Sequence, residues 1–262
     1  MGILNFAHGA FFMVGAYVTA ILLANASVPL PLFLLIGLIA GLVVGVIGLL
    51  SERFVFARLY NEGHVINLFA SYAVMLILIG GAVWLWGTNI YFVQRPSELN
   101  GAVKVDLITV PTYNIFLIVV GFIVAVGIWA LINKTTLGIQ IRAVAHDRVT
   151  ARALGVRAPL VGMSVFIIGG ILAGFAGALA APRVSVAPGL DAVFIIQCFV
   201  VVIVGGLGSI PGAMSAAILV GLVDSFLVTY LPEYAAYGMY ILVAVVLLLR
   251  PQGLFSKAAI GH

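Results

Sequence analysis

Residues 30–50 read LPLFLLIGLIAGLVVGVIGLL, and no Asp, Glu, Lys or Arg interrupts them. At about 1.5 Å of rise per residue, a helix of this length crosses the roughly 30 Å of hydrocarbon in a bilayer. The stretch does not stand alone. Charge-free apolar runs fall at about 9–26, 30–50, 65–87, 113–132, 158–181, 192–208, 212–231 and 235–249. They predict an all-α fold, a polytopic transmembrane helix bundle of about eight spans in a single domain, 1–262. The stretch from Ala192 to Val223 is too long for one crossing, and GGLGSIPGA (205–213) offers the glycines and proline of a tight turn. Two helices are expected there. A broken or re-entrant helix covered by protein is the alternative, and it lowers the count to seven.

Composition gives the same answer. Apolar residues make up 64% of the 262 and charged residues only 8%, with a mean hydropathy of +1.29. A soluble domain carries about 25% charged residues to keep its surface wet. A surface this poor in charge is solvated by lipid. The net charge of +4 does not point to nucleic acid, because the Lys and Arg sit between the apolar runs rather than on one soluble face. There they act as topology signals. One set of alternate loops holds Arg53, Arg58, Lys134, Arg142, Arg148, Arg152, Arg157, Arg250 and Lys257; the other holds only Arg95, Lys104 and Arg183. The richer side is expected to be cytoplasmic. That puts loop 133–158 inside and loop 88–112 outside.

Within the runs, Gly37, Gly41 and Gly45 recur every four residues, as do Gly170 and Gly174, with Gly177 following. Small residues at this spacing let helix backbones approach closely in lipid. Plain packing is the first reading, and a glycine-lined path the second. Cys198 lies inside an apolar run and reads as a small packing residue. No G-x-x-x-x-G-K-[ST] loop occurs and no His/Cys cluster has metal-ligand spacing, so neither catalysis, a metal nor a cofactor is expected on this chain.

The most charged connection is TTLGIQIRAVAHDRVTARALGVRAP (135–159). Ala143, Asp147, Ala151 and Gly155 recur every four residues and would form one small-residue stripe on a helix over 138–155, with Arg148 and Arg152 on a neighbouring face. Gly155 would stop that helix, and Pro159 would bar its continuation. By pattern alone this is either a solvated loop whose arginines hold the topology, or a short helix that fits a groove on a cytoplasmic partner.

LNFAHGAFFMVGAY (4–17), LGIQIRAVAHDRVTARALGV (137–156), VVVIVGGLGSIPGA (200–213) and LRPQGLF (249–255) together resemble the permease subunits of ATP-binding-cassette importers for branched-chain amino acids, and LNFAHG resembles the first of the two related permeases. The resemblance implies a second permease subunit, two cytoplasmic ATPase subunits that hold ATP and Mg, an extracytoplasmic solute-binding protein, and residence in the cytoplasmic (inner) membrane of a prokaryote. The cargo it implies is leucine, isoleucine and valine. Urea or short amides in the same machine, or an ATP-independent channel, are the alternatives. It also implies that Gly138, Arg142, Ala143, Asp147, Ala151 and Gly155 couple to an ATPase. In the family the NFAHG stretch follows a further apolar helix, so a start placed too late is expected, with a true truncation as the alternative.

Asn5, His8 and Gly9 are candidates for the substrate path or for neutral hydrogen bonds between helices. Gly205, Gly206 and Gly208 join them as path candidates. So does Asp224, the one carboxylate well inside a predicted span, LVGLVDSFLV (219–228). A charge there costs about 3 kcal/mol on insertion scales, so it should face protein and find a partner; Ser225 and Thr229 are near enough. Asp191 and Arg183, in APRVSVAPGLD (181–191), could pair with each other or meet a binding protein.

Overall fold

In hydrocarbon a backbone can close its hydrogen bonds only within a helix or a closed barrel, and these apolar runs take the first solution. The computed structural model describes residues 5–60, 62–105, 108–206, 208–250 and 253. Leu4 of the first motif, Pro251, Gln252, Leu254 and Phe255 of the last, and Lys257 lie outside the described residues.

Helices α1 (Ala7–Leu23) and α2 (Leu30–Ser51) come first, and α2 runs through a π-helical turn (Glu52–Phe56) into a three-residue α3 (Ala57–Leu59). Then follow α4 (His64–Trp86), a hairpin of β1 (Ala102–Val105) and β2 (Ile108–Pro111), and α5 (Thr112–Lys134). Two short helices, α6 (Thr136–His146) and α7 (Arg148–Ala153), lead to α8 (Ala158–Ala180). The chain ends in α9 (Leu190–Gly205), α10 (Ile210–Tyr230) and α11 (Pro232–Leu249). Among the described residues five helices have the length and apolarity of a full crossing, and α1, α9 and the Tyr237–Leu249 part of α11 are shorter apolar helices. Every apolar run read from the sequence is therefore a helix. The chain is a multi-pass helical membrane protein. Prolines mark the starts: Pro31, Pro159, Pro211 and Pro232 each stand in the first two positions of a helix, where the missing N–H costs nothing.

The chain divides into two units, the first running to Val193 and the second from Phe194. In the first, α8 packs on α1 and α2 through glycine. A Cβ on Gly170 would stand 2.8 Å from the Val44 carbonyl oxygen, one on Gly174 2.7 Å from Val44 Cβ, and one on Gly41 2.8 Å from the Ile171 carbonyl oxygen. Gly177 lies the same way against Phe12 and Gly15 against Gly174. Both glycine ladders therefore serve helix packing. Outward, α5 presents Ile118, Phe122 and Ile123 to its surroundings, as a lipid-facing helix does. The loop 88–112 is not irregular throughout: β1 and β2 pair antiparallel, Val103 opposite Val110.

In the second unit α10 and α11 pack around Val200, Val204, Ala216, Val220 and Val246. The GGLGSIPGA stretch joins two helices, as read. Gly206 (φ 94°) and Gly208 (φ 86°) take left-handed backbone, and the Ser209 side chain accepts a hydrogen bond from Gly212 N–H at 3.1 Å to cap α10.

Candidate functional site

The polar chemistry of the first unit gathers where α5 turns back. Thr135 caps α6, its hydroxyl oxygen accepting from Gly138 N–H at 3.1 Å. Any side chain at Gly138 would collide with the Leu131 and Ile132 carbonyl oxygens, so glycine alone lets α6 fold this tightly against the end of α5. Arg142 then reaches back and donates from Nη1 to the Ile132 carbonyl oxygen. A cation on the last carbonyls of a helix also meets its negative dipole end. Gly138 and Arg142 thus form an elbow that ties α6 to α5.

The single helix expected over 138–155 is two. Asp147 breaks it, with extended backbone (φ −146°, ψ 106°), and caps α7 by accepting from Val149 N–H at 2.9 Å and Thr150 N–H at 3.1 Å. Thr150 also donates its hydroxyl to the same carboxylate. These bonds, the Thr150 hydroxyl first among them, hold the Asp147 carboxyl below its ordinary value. The four-residue stripe of Ala143, Asp147, Ala151 and Gly155 consequently does not exist as one face. A short Asp competes with the helix for its own backbone donors, and here it wins. Ala151 is 3% exposed and packs with Val144, Ala158 and Val161, inside the protein rather than toward a partner.

Gly155 ends α7 as expected. It has φ 87°, and Gly155 N–H donates to Arg152 O while Val156 N–H donates to Ala151 O, both at 3.0 Å. This pair of bonds is a Schellman stop. What α7 turns outward is apolar: Val149 is 79% and Leu154 80% exposed, beside the exposed Arg152. The sequence reading passed over both side chains, though two bulky apolar residues in a charged loop were the available signal.

A second group was not legible. Arg148, the first residue of α7, lies over the Tyr60 ring with its guanidinium carbon 3.6 Å from the centroid. Tyr60 donates its hydroxyl to Glu52 Oε1. Glu52 is fully buried at the end of α2, and its Oε2 and one Arg148 nitrogen have no hydrogen-bond partner among the described residues. A Cβ on Gly162 of α8 would stand 2.8 Å from Glu52 Oε1, so glycine makes the room. Through the Tyr60 ring and its hydroxyl, α7 is latched to the end of α2.

The path candidates fall into both units. In the first, Asn5 Oδ1 accepts from Ala7 N–H at 3.0 Å at the start of α1, Gly9 is buried, and His8 Nε2 lies against Gly169 of α8. In the second, a Cβ on Gly205 would be 2.6 Å from the Gly212 carbonyl carbon, which makes Gly205 a contact between α9 and α10. Asp224 is half-buried in α10. It does not take the hydrogen bonds suggested for it: Thr229 donates to the Ser225 carbonyl at 2.8 Å, and no partner of the Asp224 carboxylate is found among the described residues.

A family described as branched-chain amino acid transport system / permease component matches residues 1–249. The high-affinity branched-chain amino acid transport system permease protein BraD of Pseudomonas aeruginosa is 30% identical over 98% of this chain and 87% of its own length. LivH of Escherichia coli K12, of the same description, is 27% identical over the same shares. The probable branched-chain amino acid transport permease LivH of Methanocaldococcus jannaschii is 28% identical over 95% of this chain and 82% of its own length. No solved structure matches the chain.

Proposed function

The chain belongs to the permease family of branched-chain amino acid transport systems, and from that premise we propose that it is one of two related permease subunits of an ATP-driven importer for leucine, isoleucine and valine. It sits in the cytoplasmic membrane of a prokaryote. It has no ATPase site of its own; two cytoplasmic ATPase subunits hold ATP and Mg, and an extracytoplasmic binding protein delivers the cargo.

The observation that carries the coupling part is the elbow. Val149 and Leu154 project from α7 into solvent and offer two apolar anchors to an ATPase groove, with Arg152 beside them. Arg142 ties α6 to α5, and the Arg148–Tyr60–Glu52 group ties α7 to α2, so a displacement of the short helices is passed to two long ones. ATP-driven closure of the ATPase pair then shifts the population from outward- to inward-open, by as much as the ATPases bind the two states differently. A cargo without net charge suits spans as poor in charge as these, in which Asp224 is the one carboxylate read well inside an apolar run.

The test is uptake of labelled leucine and labelled urea in cells with and without this gene, followed by Arg142→Glu. Loss of leucine uptake without the gene, and continued ATP hydrolysis with little uptake in the variant, is the expected result. Loss of urea uptake alone changes the cargo. Coupled uptake at the normal rate in Arg142→Glu overturns the elbow's role.

A further inference from the structure

Where α6 leans on the first turns of α8, the side chains leave a hollow of about 280 Å³. Leu137 and Gln140 of α6, Leu160 and Ser164 of α8, and Arg157 just before α8 line it. Gly155 lines it too, and a Cβ there would meet nothing within 4 Å, so the space beside it is open. A second hollow, of about 410 Å³, adjoins the first: the two share Gly155, Arg157 and Leu160, and the second adds Arg152. At about 30 Å³ for each water of the liquid, the smaller hollow has the volume of several waters and room for a phosphodiester group.

The polar groups at the mouth are all donors. Arg152 and Arg157 are exposed, and neither guanidinium has a hydrogen-bond or ion-pair partner among the described residues. The exposed Gln140 amide has none either, and its NH₂ can donate. Ser164 uses its only hydroxyl proton on the Leu160 carbonyl at 2.9 Å, which leaves the donating to Arg157 and Gln140. No Asp or Glu lines either hollow. The walls, in contrast, are apolar. Val161 is buried and Leu137 half-buried, and α8 leaves Leu160 52% and Val165 41% exposed. The fitting occupant joins an anion with several acceptor oxygens to an apolar tail.

Arg157 directly precedes the span Ala158–Arg183, at the end that the basic residues mark as cytoplasmic. That is the level of lipid headgroups, where phosphate is the abundant anion and basic pockets between helices hold it. An acidic side chain of an ATPase would bring the charge, but nothing to lie along Leu160 and Val165. We propose that this hollow binds an anionic phospholipid of the cytoplasmic leaflet, with its phosphate on Arg157 and Gln140 and its acyl chains along Leu160 and Val165. The lipid fills the gap between α6 and α8 and braces the elbow against the longer helix.

The test uses the purified full chain in nonionic detergent, titrated with dioleoylphosphatidylglycerol or with the same amount of dioleoylphosphatidylcholine. The unfolding temperature should rise saturably with phosphatidylglycerol and little with phosphatidylcholine, because a ligand of the folded state stabilises it. In Arg157→Gln the lipid needed for half the rise should increase about fivefold, the weight of one cation at a membrane surface. Arg157→Lys should keep most of the response. Ser164→Phe, which fills the hollow from α8 without changing charge, should weaken it. Arg183→Gln is the control: that exposed cation lies at the far end of the same span and makes no ion pair with Asp191, so its response should match the parent's. An unchanged half-point in both Arg157→Gln and Ser164→Phe overturns the proposal. Equal losses in Arg157→Gln and Arg183→Gln overturn it too, because net charge alone would then be at work, and so does an equal rise with phosphatidylcholine. A rise with millimolar inorganic phosphate alone overturns the lipid assignment, the hollow then taking free phosphate. Full loss of the phosphatidylglycerol response once ATPase subunits are bound also overturns it, the hollow then belonging to their groove.

Discussion

Replacing Arg148 with alanine removes the cation that lies over the Tyr60 ring beside Glu52, and the consequence can be sized. Glu52 is fully buried. Arg148 meets Glu52 through the Tyr60 ring and not as an ion pair, so its removal costs the cation–π contact, about 2 kcal/mol where it is desolvated. Arg148→Lys keeps the charge but loses the flat stacking on Tyr60 at 3.6 Å, for which about 1 kcal/mol is the expected loss. The decisive protein is the double variant. With Glu52→Gln already in place the acceptor that fixes the Tyr60 ring is weakened, so Arg148→Ala then costs less. The two changes should couple by about 1 kcal/mol, above the ~0.5 kcal/mol within which independent sites add. Thermal unfolding of the assembled transporter in nanodiscs, for the parent, both single variants and the double, measures this directly. Additive shifts would refute the reasoning, because they would mean that Arg148 and Glu52 do not sense each other.

Three further outcomes follow from the same geometry. Gly170→Val places a side chain where a Cβ alone would be 2.8 Å from the Val44 carbonyl oxygen, so the unfolding midpoint should fall by the equivalent of about 1–3 kcal/mol. Leu154→Asp changes a side chain that is 80% exposed; stability should stay within about 0.5 kcal/mol, while cargo moved per ATP hydrolysed in the assembled importer should drop. Asp147 has its carboxyl held below the ordinary value by Thr150, so it favours the folded elbow above that ordinary value and stops doing so as pH falls through the lowered one. Hydrogen-exchange protection at Val149 and Thr150 should accordingly be lost on acidification, and Asp147→Asn should flatten the change.

The length of the charge-free apolar runs carried most of the fold. Segments without charge become helices because lipid gives the backbone no other partner, and the glycines of 37–45 and 170–177 become contacts because nothing else draws helices together there. Gly155 was legible for a local reason, since a stop needs only the residue and its neighbours. Asp147 was misread because two local rules point in opposite directions at that position: four-residue spacing argues for a continuous helix, and the capping side chain argues for a break. Glu52, Tyr60 and Arg148 could not be read at all. They are far apart in the chain, and nothing in a Tyr or an Arg announces which buried acid it will meet. The same holds for Tyr17, which meets Trp86 and Tyr91 from some seventy residues away in the chain.

At several glycines α8 meets α1 and α2 through main chain. Side-chain rotamers are the springs of an ordinary helix interface: they yield by hopping between wells and absorb a push before it travels far. At Gly15, Gly41, Gly170 and Gly177, whose nearest neighbours are backbone atoms, there is no such spring. The three helices behave as a laminated beam, stiff along its length. A load applied at the end that bears Glu52 arrives at the end that bears Tyr17 with little lost on the way.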